Sequence, residues 1–324
     1  MDLHLPNDFS ARITGAFGER GRSWLARLPE SVAYYRERWS LSGMQAHPAP
    51  SYGWIGFCRS PYGPAVLKLN VPNPEAVTEA AALAAFPASA CCRCYEEDRE
   101  HGALLLEALE PGTPLRATER FASRVDVAAD LLARLHPADR HPGDDHPADA
   151  DPGQHHSPDP GFPRYADQAA RAFGRTSRLP ELVAGGSRLL AWVEASREAA
   201  GAERLLHADL HHDNILRSGD GWKLIDPKGT MGPRALEAAR FVINQYGDAP
   251  AQRREEEFRS MVQEFAVALA VEPAAVAVCA ALDAAVSTCW SVEDNDSPAR
   301  VAAANEQALV SYEWASGLAD LSER

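Results

Sequence analysis

Three oxygen-bearing side chains recur around two short apolar runs in residues 207–226. Asp209 follows the run Leu205-Leu206, Asn214 comes five residues later, and Asp226 closes the run Trp222-Lys223-Leu224-Ile225. Ser218-Gly219-Asp220-Gly221 reads as a hairpin turn, so Asn214-Ile215-Leu216 and Trp222 to Ile225 become paired strands. The Asn214 amide and the Asp226 carboxylate are hard oxygen donors of the kind that suit Mg²⁺ when a triphosphate supplies the remaining ligands. Asp209 is then a carboxylate able to align an attacking hydroxyl. Phosphoryl transfer needs metal on the phosphates and such a carboxylate, with little covalent help. The plainer alternative is a structural hairpin with solvated acids at both ends. His207 ends the strand before Asp209 and reads as orienting the loop through hydrogen bonds; His211 and His212 read as structural, with contact to phosphate as the alternative for either.

The stretch His207 to Leu216, followed by Ile225-Asp226-Pro227-Lys228-Gly229, resembles the streptomycin 6-kinase branch of the aminoglycoside and hydroxyurea phosphotransferases. Protein kinases place Phe-Gly after the metal aspartate, and this chain has Pro227-Lys228-Gly229, as that branch does. Further similar segments are Trp24 to Pro29 with Arg38-Trp39, the lysine strand Ala65 to Leu69, Gly102 to Glu107 with Leu109 to Gly112, and Trp290 to Asp294. The resemblance runs over most of the chain. Two departures stand out. Ala208 occupies a place that is glycine in the branch, and Gly232 to Glu237 replaces an aspartate-containing run.

The resemblance implies an α+β, protein-kinase-like fold of two lobes: a small lobe with an antiparallel sheet and one helix, and a larger, mostly helical lobe. It implies an ATP-dependent (or GTP-dependent) phosphotransferase using Mg²⁺, with an alcohol as acceptor. In that reading Asp209 is the catalytic base, and Asn214 and Asp226 hold the metal. Lys68, at the end of an apolar strand, pairs with the nucleotide phosphates and with a helix glutamate. Glu79 is the nearest suitable partner; Glu75 is the runner-up, although its place in a first turn also suits the helix dipole. The backbone of Glu107 and Leu109 would bind adenine, with Leu106 behind it. Gly53 and Gly56, in Ser51 to Phe57, could admit backbone amides to phosphate or be ordinary hairpin glycines. Glu237 would either cap the catalytic loop or touch substrate.

These residues must be positioned by the surrounding elements. Residues 1–45 read as helical, with Trp24, Leu25, Leu28, Val32 and Tyr35 on one face. Residues 49–110 alternate short apolar runs with turns, interrupted by a helix after Pro74. Helix returns from residue 121 to His136, and residues 251–324 are Ala-rich and helical in pattern. The lobes are expected at 1–107 and 108–324. Residues 137–163, rich in Pro, Asp, His and Gly, read as a flexible insert; His141, His146, His155 and His156 could bind a transition metal, or belong to a solvated loop.

Composition narrows the partners. The 324 residues are 45% hydrophobic, enough for a substantial core, and the net charge of −14 argues against nucleic acid. No amino-terminal apolar region and no run of about 18 apolar residues is apparent, so a membrane is not expected. Cys91-Cys92-Arg93-Cys94 has no second pair at zinc-site spacing and reads as reduced strand residues. Both features suit the cytoplasm. After Asp226 a helical pattern resumes within about ten residues, leaving no room for a long activation segment. A small-molecule acceptor is therefore expected. A cationic aminoglycoside, streptomycin-like by resemblance and so linked to antibiotic resistance, would suit an acidic pocket of Glu293, Asp294 and Asp296 beside Trp290; these acids read equally as a solvated loop before Pro298. Hydroxyurea, another small hydroxylated metabolite, or a silent nucleotide-binding module are the alternatives. Oligomeric state is not legible.

Overall fold

A computed structural model describes residues 5–117, 121–136, 161–294, 296–319 and 321. The expected insert, with its four histidines, lies outside the described residues except at 161–163.

The chain opens with α1 (Asn7–Arg38), bent where Gly18 adopts φ 56°. Helix does not continue to residue 45. Ser40, at φ 52°, turns the chain out of it, and β1 (Ser42–Ala46) follows. A left-handed residue cannot propagate a right-handed helix, and this position lacks the glycine that would have announced it. Four more strands complete an antiparallel sheet: β2 (Gly53–Ser60), β3 (Gly63–Asn70), β4 (Cys94–Asp98) and β5 (Ala103–Glu107), in the order β1-β2-β3-β5-β4. Between β3 and β4 runs α2 (Pro74–Ala85). Its start is fixed by Pro74 in the first turn and by the Asn73 side chain, which accepts from the Ala76 amide at 3.0 Å.

The two-residue period of the strands divides their side chains between two cores. Ala65, Leu67 and Leu69 of β3, with Ala103 and Leu105 of β5, pack with Phe9, Ile13, Leu28 and Val32 of α1. Leu104 and Leu106 face the opposite way and join a larger core that contains α2 and the helical part of the molecule. Lys68 shares this second face. Its position on β3 therefore follows from the burial of Leu67 and Leu69 on the other side.

The larger lobe begins after residues 108–110 cross to a second sheet. Its elements are β6 (Pro111–Pro114), α3 (Phe121–Leu135), α4 (Tyr165–Arg175), α5 (Pro180–Ala195), α6 (Arg197–Ala200), β7 (Glu203–Leu206), β8 (Ile215–Ser218), β9 (Gly221–Leu224), β10 (Thr230–Pro233), α7 (Ala239–Gly247), α8 (Arg254–Leu269), α9 (Pro273–Glu293) and α10 (Pro298–Ser316). β6-β8-β9 form one small sheet and β7-β10 another. α9 is the axis of the lobe. Its residues from Ala275 to Val286 are all buried, and their small size lets α5, α7, α8 and α10 pack closely around it. No unbroken apolar run of about 18 residues occurs, but by length and mean composition α9 is apolar enough to cross a membrane, the one such helix among the described residues; 78% of its apolar window is buried inside the molecule, as in a core helix. Cys91, Cys92 and Cys94 are free and buried where the lobes meet, and burial pushes their thiols above the ordinary range.

Candidate active site

The loop that carries Asp209 lies between the β7-β10 pair and the β8-β9 hairpin. β7 ends at Leu206, opposite Thr230 of β10. The chain then reverses at Ala208, whose φ is 59°. After the β8-β9 hairpin, closed by Gly219 at φ 56°, the chain emerges at Asp226 with φ 63°. Non-glycine residues seldom sit there, and such strain gathers at functional positions. His207 ties the two segments together. Its Nδ1 accepts from the Asp209 amide at 3.3 Å, so the neutral ring carries its proton on Nε2, 2.9 Å from the Ile225 carbonyl. Burial lowers the pKa of this fully buried ring and favours that neutral form.

Glu237 supports the turn from beneath. Its carboxylate accepts from the amides of His207 at 2.9 Å and Ala208 at 3.0 Å, and it lies 2.8 Å from His136 Nε2. It is 0% exposed. Burial raises its carboxyl pKa, but the His136 contact and the amides outweigh burial and hold it below the usual carboxylate value. A group enclosed in this way has no surface for substrate, so the substrate-contact reading of Glu237 is set aside and the loop-capping one retained.

Lys68 Nζ lies 2.6 Å from Glu79 Oε1 and 2.6 Å from Asp226 Oδ1. Burial lowers the Lys68 pKa, yet the two carboxylates more than reverse this and raise it. Burial also raises Asp226, but Lys68 and Lys228 hold its carboxyl well below the ordinary range. Glu79, enclosed at 4% exposure, is pushed up to about 7 by burial against the pull of Lys68. Glu75 instead pairs with Lys228. Lys228 also approaches Asp209 Oδ2 at 3.9 Å, and its carbonyl accepts from Thr78 Oγ1 of α2 at 2.7 Å. The next residue, Gly229, has φ 65°, and a Cβ there would come 2.7 Å from the Thr78 carbonyl; only glycine lets the two lobes approach so closely at this point.

Asn214 Nδ2 donates to the Asp209 carbonyl at 3.1 Å, which leaves the amide oxygen as donor atom. The Asn214 carbonyl accepts from the Ile225 amide at 3.0 Å, so Asn214 and the Asp226 segment emerge side by side. Two hard oxygen side chains do not form a cage by themselves, and no group of three or more His, Cys, Asp or Glu suited to a metal occurs among the described residues. That donor set fits Mg²⁺ carried largely by phosphate oxygens, which prefers a few carboxylate or carbonyl ligands to a full protein site.

Of the two readings open for Gly53 and Gly56, packing favours the structural one. The connection between β1 and β2 is 47–52, His47-Pro48-Ala49-Pro50-Ser51-Tyr52; Gly53 and Gly56 lie inside β2. A Cβ on Gly53 would meet Asn70 Oδ1 at 2.4 Å, and one on Gly56 would meet the Trp54 ring at 2.5 Å. Close packing within the lobe explains both glycines. Glu107 is also engaged by the protein: its amide donates to the Arg93 carbonyl at 2.8 Å and its carboxylate takes Lys223 Nζ at 2.8 Å. The Leu109 amide has no partner among the described residues.

Asp209, Lys228 and Thr78 open into a cleft of about 990 Å³ that also includes Trp290, Glu293 and Asp294. Asp296 lies outside its lining and pairs with Arg300 at 3.3 Å. The cleft is not uniformly acidic. Arg171, Arg175, Lys228 and Arg240 line it beside Glu75, Glu293 and Asp294, and Arg175 lies 3.8 Å from Glu293. Arg240, Asp283 and Tyr165 escaped the sequence reading because nothing in their spacing joins them to Asp209.

Ala208 gives a direct test of the loop. A Cβ in the left-handed region costs about 1–2 kcal/mol. Ala208→Gly is therefore expected to raise stability by up to about 1 kcal/mol, with turnover retained, in denaturant unfolding and rate measurements. A loss of stability would show that packing of the Ala208 methyl outweighs the strain.

The profile of a family described as aminoglycoside/hydroxyurea antibiotic resistance kinase matches residues 58–295. The streptomycin 6-kinase of Streptomyces griseus is 29% identical over 259 residues, covering 76% of this chain and 79% of that protein. The hydroxyurea phosphotransferase of Kitasatospora aureofaciens is 33% identical over 242 residues, covering 71% of this chain and 65% of that protein. Among solved structures, choline kinase from Streptococcus pneumoniae shares the fold with a TM-score of 0.61 at 12% identity, over 88% of this chain and 99% of that one. An aminoglycoside phosphotransferase, APH(4)-Ia, solved with AMP-PNP and hygromycin B, gives a TM-score of 0.59 at 14% identity, over 88% of this chain and 98% of that one.

Proposed function

We propose, for a chain that belongs to the aminoglycoside/hydroxyurea antibiotic resistance kinase family, transfer of the γ-phosphoryl group of ATP to a hydroxyl of a streptomycin-like aminoglycoside. The observation that carries this reading is the meeting of Lys68, Glu79 and Asp226 at 2.6 Å contacts, next to a cleft that Asp209 lines. The streptomycin 6-kinases of Streptomyces griseus and Streptomyces glaucescens, at 29% and 28% identity, support the choice of acceptor.

The chain's own groups divide the work. Lys68, held by Glu79, would engage the nucleotide phosphates, and the Leu109 amide would meet the base. Asn214 and Asp226 would hold Mg²⁺, which when bound supplies neutralising charge on the phosphates. Asp209 aligns the acceptor hydroxyl and accepts its proton late in the transfer. Trp290, Glu293 and Asp294 would orient the acceptor. Their neighbours Arg171 and Arg175 limit how much of that recognition can come from net negative charge alone.

The test is a phosphate-transfer assay over streptomycin, spectinomycin-like and kanamycin-like compounds, hydroxyurea and simple amino alcohols, with mass spectrometry of the product. Transfer to streptomycin at a single hydroxyl is expected. Transfer only to hydroxyurea would move the chain to the other activity named among its relatives. Tight ATP binding with no transfer to any acceptor would favour a silent nucleotide-binding module.

A further inference from the structure

We infer that Arg240 is a catalytic cation supplied from within the chain, its guanidinium facing the phosphoryl group in flight beside Asp209. The inference rests on the phosphotransfer reading above and adds a residue to it.

Arg240 sits in the first turn of α7 and lines the cleft, with its side chain 22% exposed. It is held from behind. Nη2 donates to Asp283 Oδ1 at 3.2 Å, and the Tyr165 hydroxyl donates to the same oxygen at 2.7 Å. Asp283 is 3% exposed and stands among the alanines, valines and cysteines of α9. A carboxylate in such surroundings is costly, and replacing a buried ion pair by apolar residues is often neutral or stabilising. Packing therefore gives no reason for Asp283. Fixing the guanidinium plane does.

The side of Arg240 toward Asp209 is incompletely used. Nε, buried on the Asp283 side 3.1 Å from Oδ2, comes no closer than 3.8 Å to Asp209 Oδ1. Nη1 has no protein partner among the described residues. A guanidinium carries five donors in a rigid fork that matches phosphoryl oxygens. Lys228 stands on the other side of Asp209, 3.9 Å from Oδ2, but pairs with Glu75. The two cations straddle the carboxylate that receives the acceptor.

In the transfer, a bond forms between the acceptor oxygen and the γ-phosphorus while the bond from that phosphorus to the β,γ-bridging oxygen breaks. The hydroxyl proton passes to Asp209, and the nucleoside diphosphate departs with the electron pair. Negative charge on the phosphoryl oxygens is offset by Arg240, pre-oriented by Asp283 and Tyr165, so little reorganisation accompanies the step. Asp283 and Tyr165 are positioning residues.

Steady-state kinetics of Arg240→Ala, Arg240→Lys and Asp283→Asn, with wild type alongside, provide the test. Arg240→Ala is expected to lose about 10²–10³-fold in kcat, the usual effect of removing one transition-state donor, with nucleotide KM nearly unchanged. Added guanidinium should restore part of that loss, which a purely structural role would not allow. Arg240→Lys should recover only a fraction, because a point charge lacks the fork, and Asp283→Asn should lose less than Arg240→Ala. A near-wild-type kcat in Arg240→Ala, or a rise in acceptor KM alone, overturns the inference. If Arg240→Ala does not fold, full kcat in Arg240→Lys overturns it and a large loss in that folded variant supports it. Wild-type protein that transfers phosphate to no acceptor overturns the phosphotransfer reading itself, and the inference with it.

Discussion

Asp209→Asn is expected to slow phosphoryl transfer by roughly 10²–10⁴-fold, the range usual for loss of a general base. Nucleotide affinity and thermal stability should stay near wild type. The Asp209 carboxylate accepts no hydrogen bond among the described residues; its nearest cations are Arg240 at 3.8 Å and Lys228 at 3.9 Å, and the His211 ring, which burial biases toward its neutral form, lies at 4.0 Å. The fold therefore does not depend on it, in contrast to Asp226, which holds Lys68 at 2.6 Å. Asparagine keeps the shape and removes the site that takes the proton. Single-turnover rates with a saturating acceptor, together with nucleotide titration, separate chemistry from binding. Turnover within a few-fold of wild type would sink the assignment of Asp209 as the base.

What the sequence made legible follows from how local each signal is. Asp209, Asn214 and Asp226 are strand-end residues of one continuous segment, and a short turn sets their relation. Lys68 and Glu79 are eleven positions apart, and Asn73-Pro74 starts the helix that brings them to 2.6 Å. Chemistry assembled from distant elements left no such trace. Tyr165, Arg240 and Asp283 come from α4, α7 and α9, and only packing around α9 unites them. The glycines stayed ambiguous for another reason. Gly53 and Gly56 have no positive φ; they yield space to Asn70 and Trp54, and spacing alone cannot distinguish that need from a phosphate-binding turn. The start of β1 was hidden because Ser40, at φ 52°, ends α1 where glycine would ordinarily mark the stop. The expected acidic pocket was legible only in part: Glu293 and Asp294 line the cleft, but Arg171, Arg175, Lys228 and Arg240, from three other segments, line it too.

Glu237→Ala is expected to be the most destabilising change near the site, by about 3–5 kcal/mol, because three buried donors lose their acceptor at about 1–3 kcal/mol each. The substitution strips the acceptor from two backbone amides, those of His207 and Ala208, and from His136 Nε2, all close to a turn already strained at φ 59°. Those donors lie away from water, so each is left unsatisfied. Glu237→Gln keeps one acceptor oxygen but turns an NH₂ toward donors, and should cost about 1–3 kcal/mol. Denaturant unfolding of the two variants beside wild type gives the ordering. Kinetics on the glutamine variant, which should still fold, then distinguish support of the loop from contact with substrate. A loop that loses its cap misplaces Asp209, and kcat falls while acceptor KM changes little. A side chain that touched the acceptor would instead raise KM and leave the unfolding midpoint where it was. The geometry favours the first outcome, because the carboxylate faces the amides of the turn and none of it reaches the cleft.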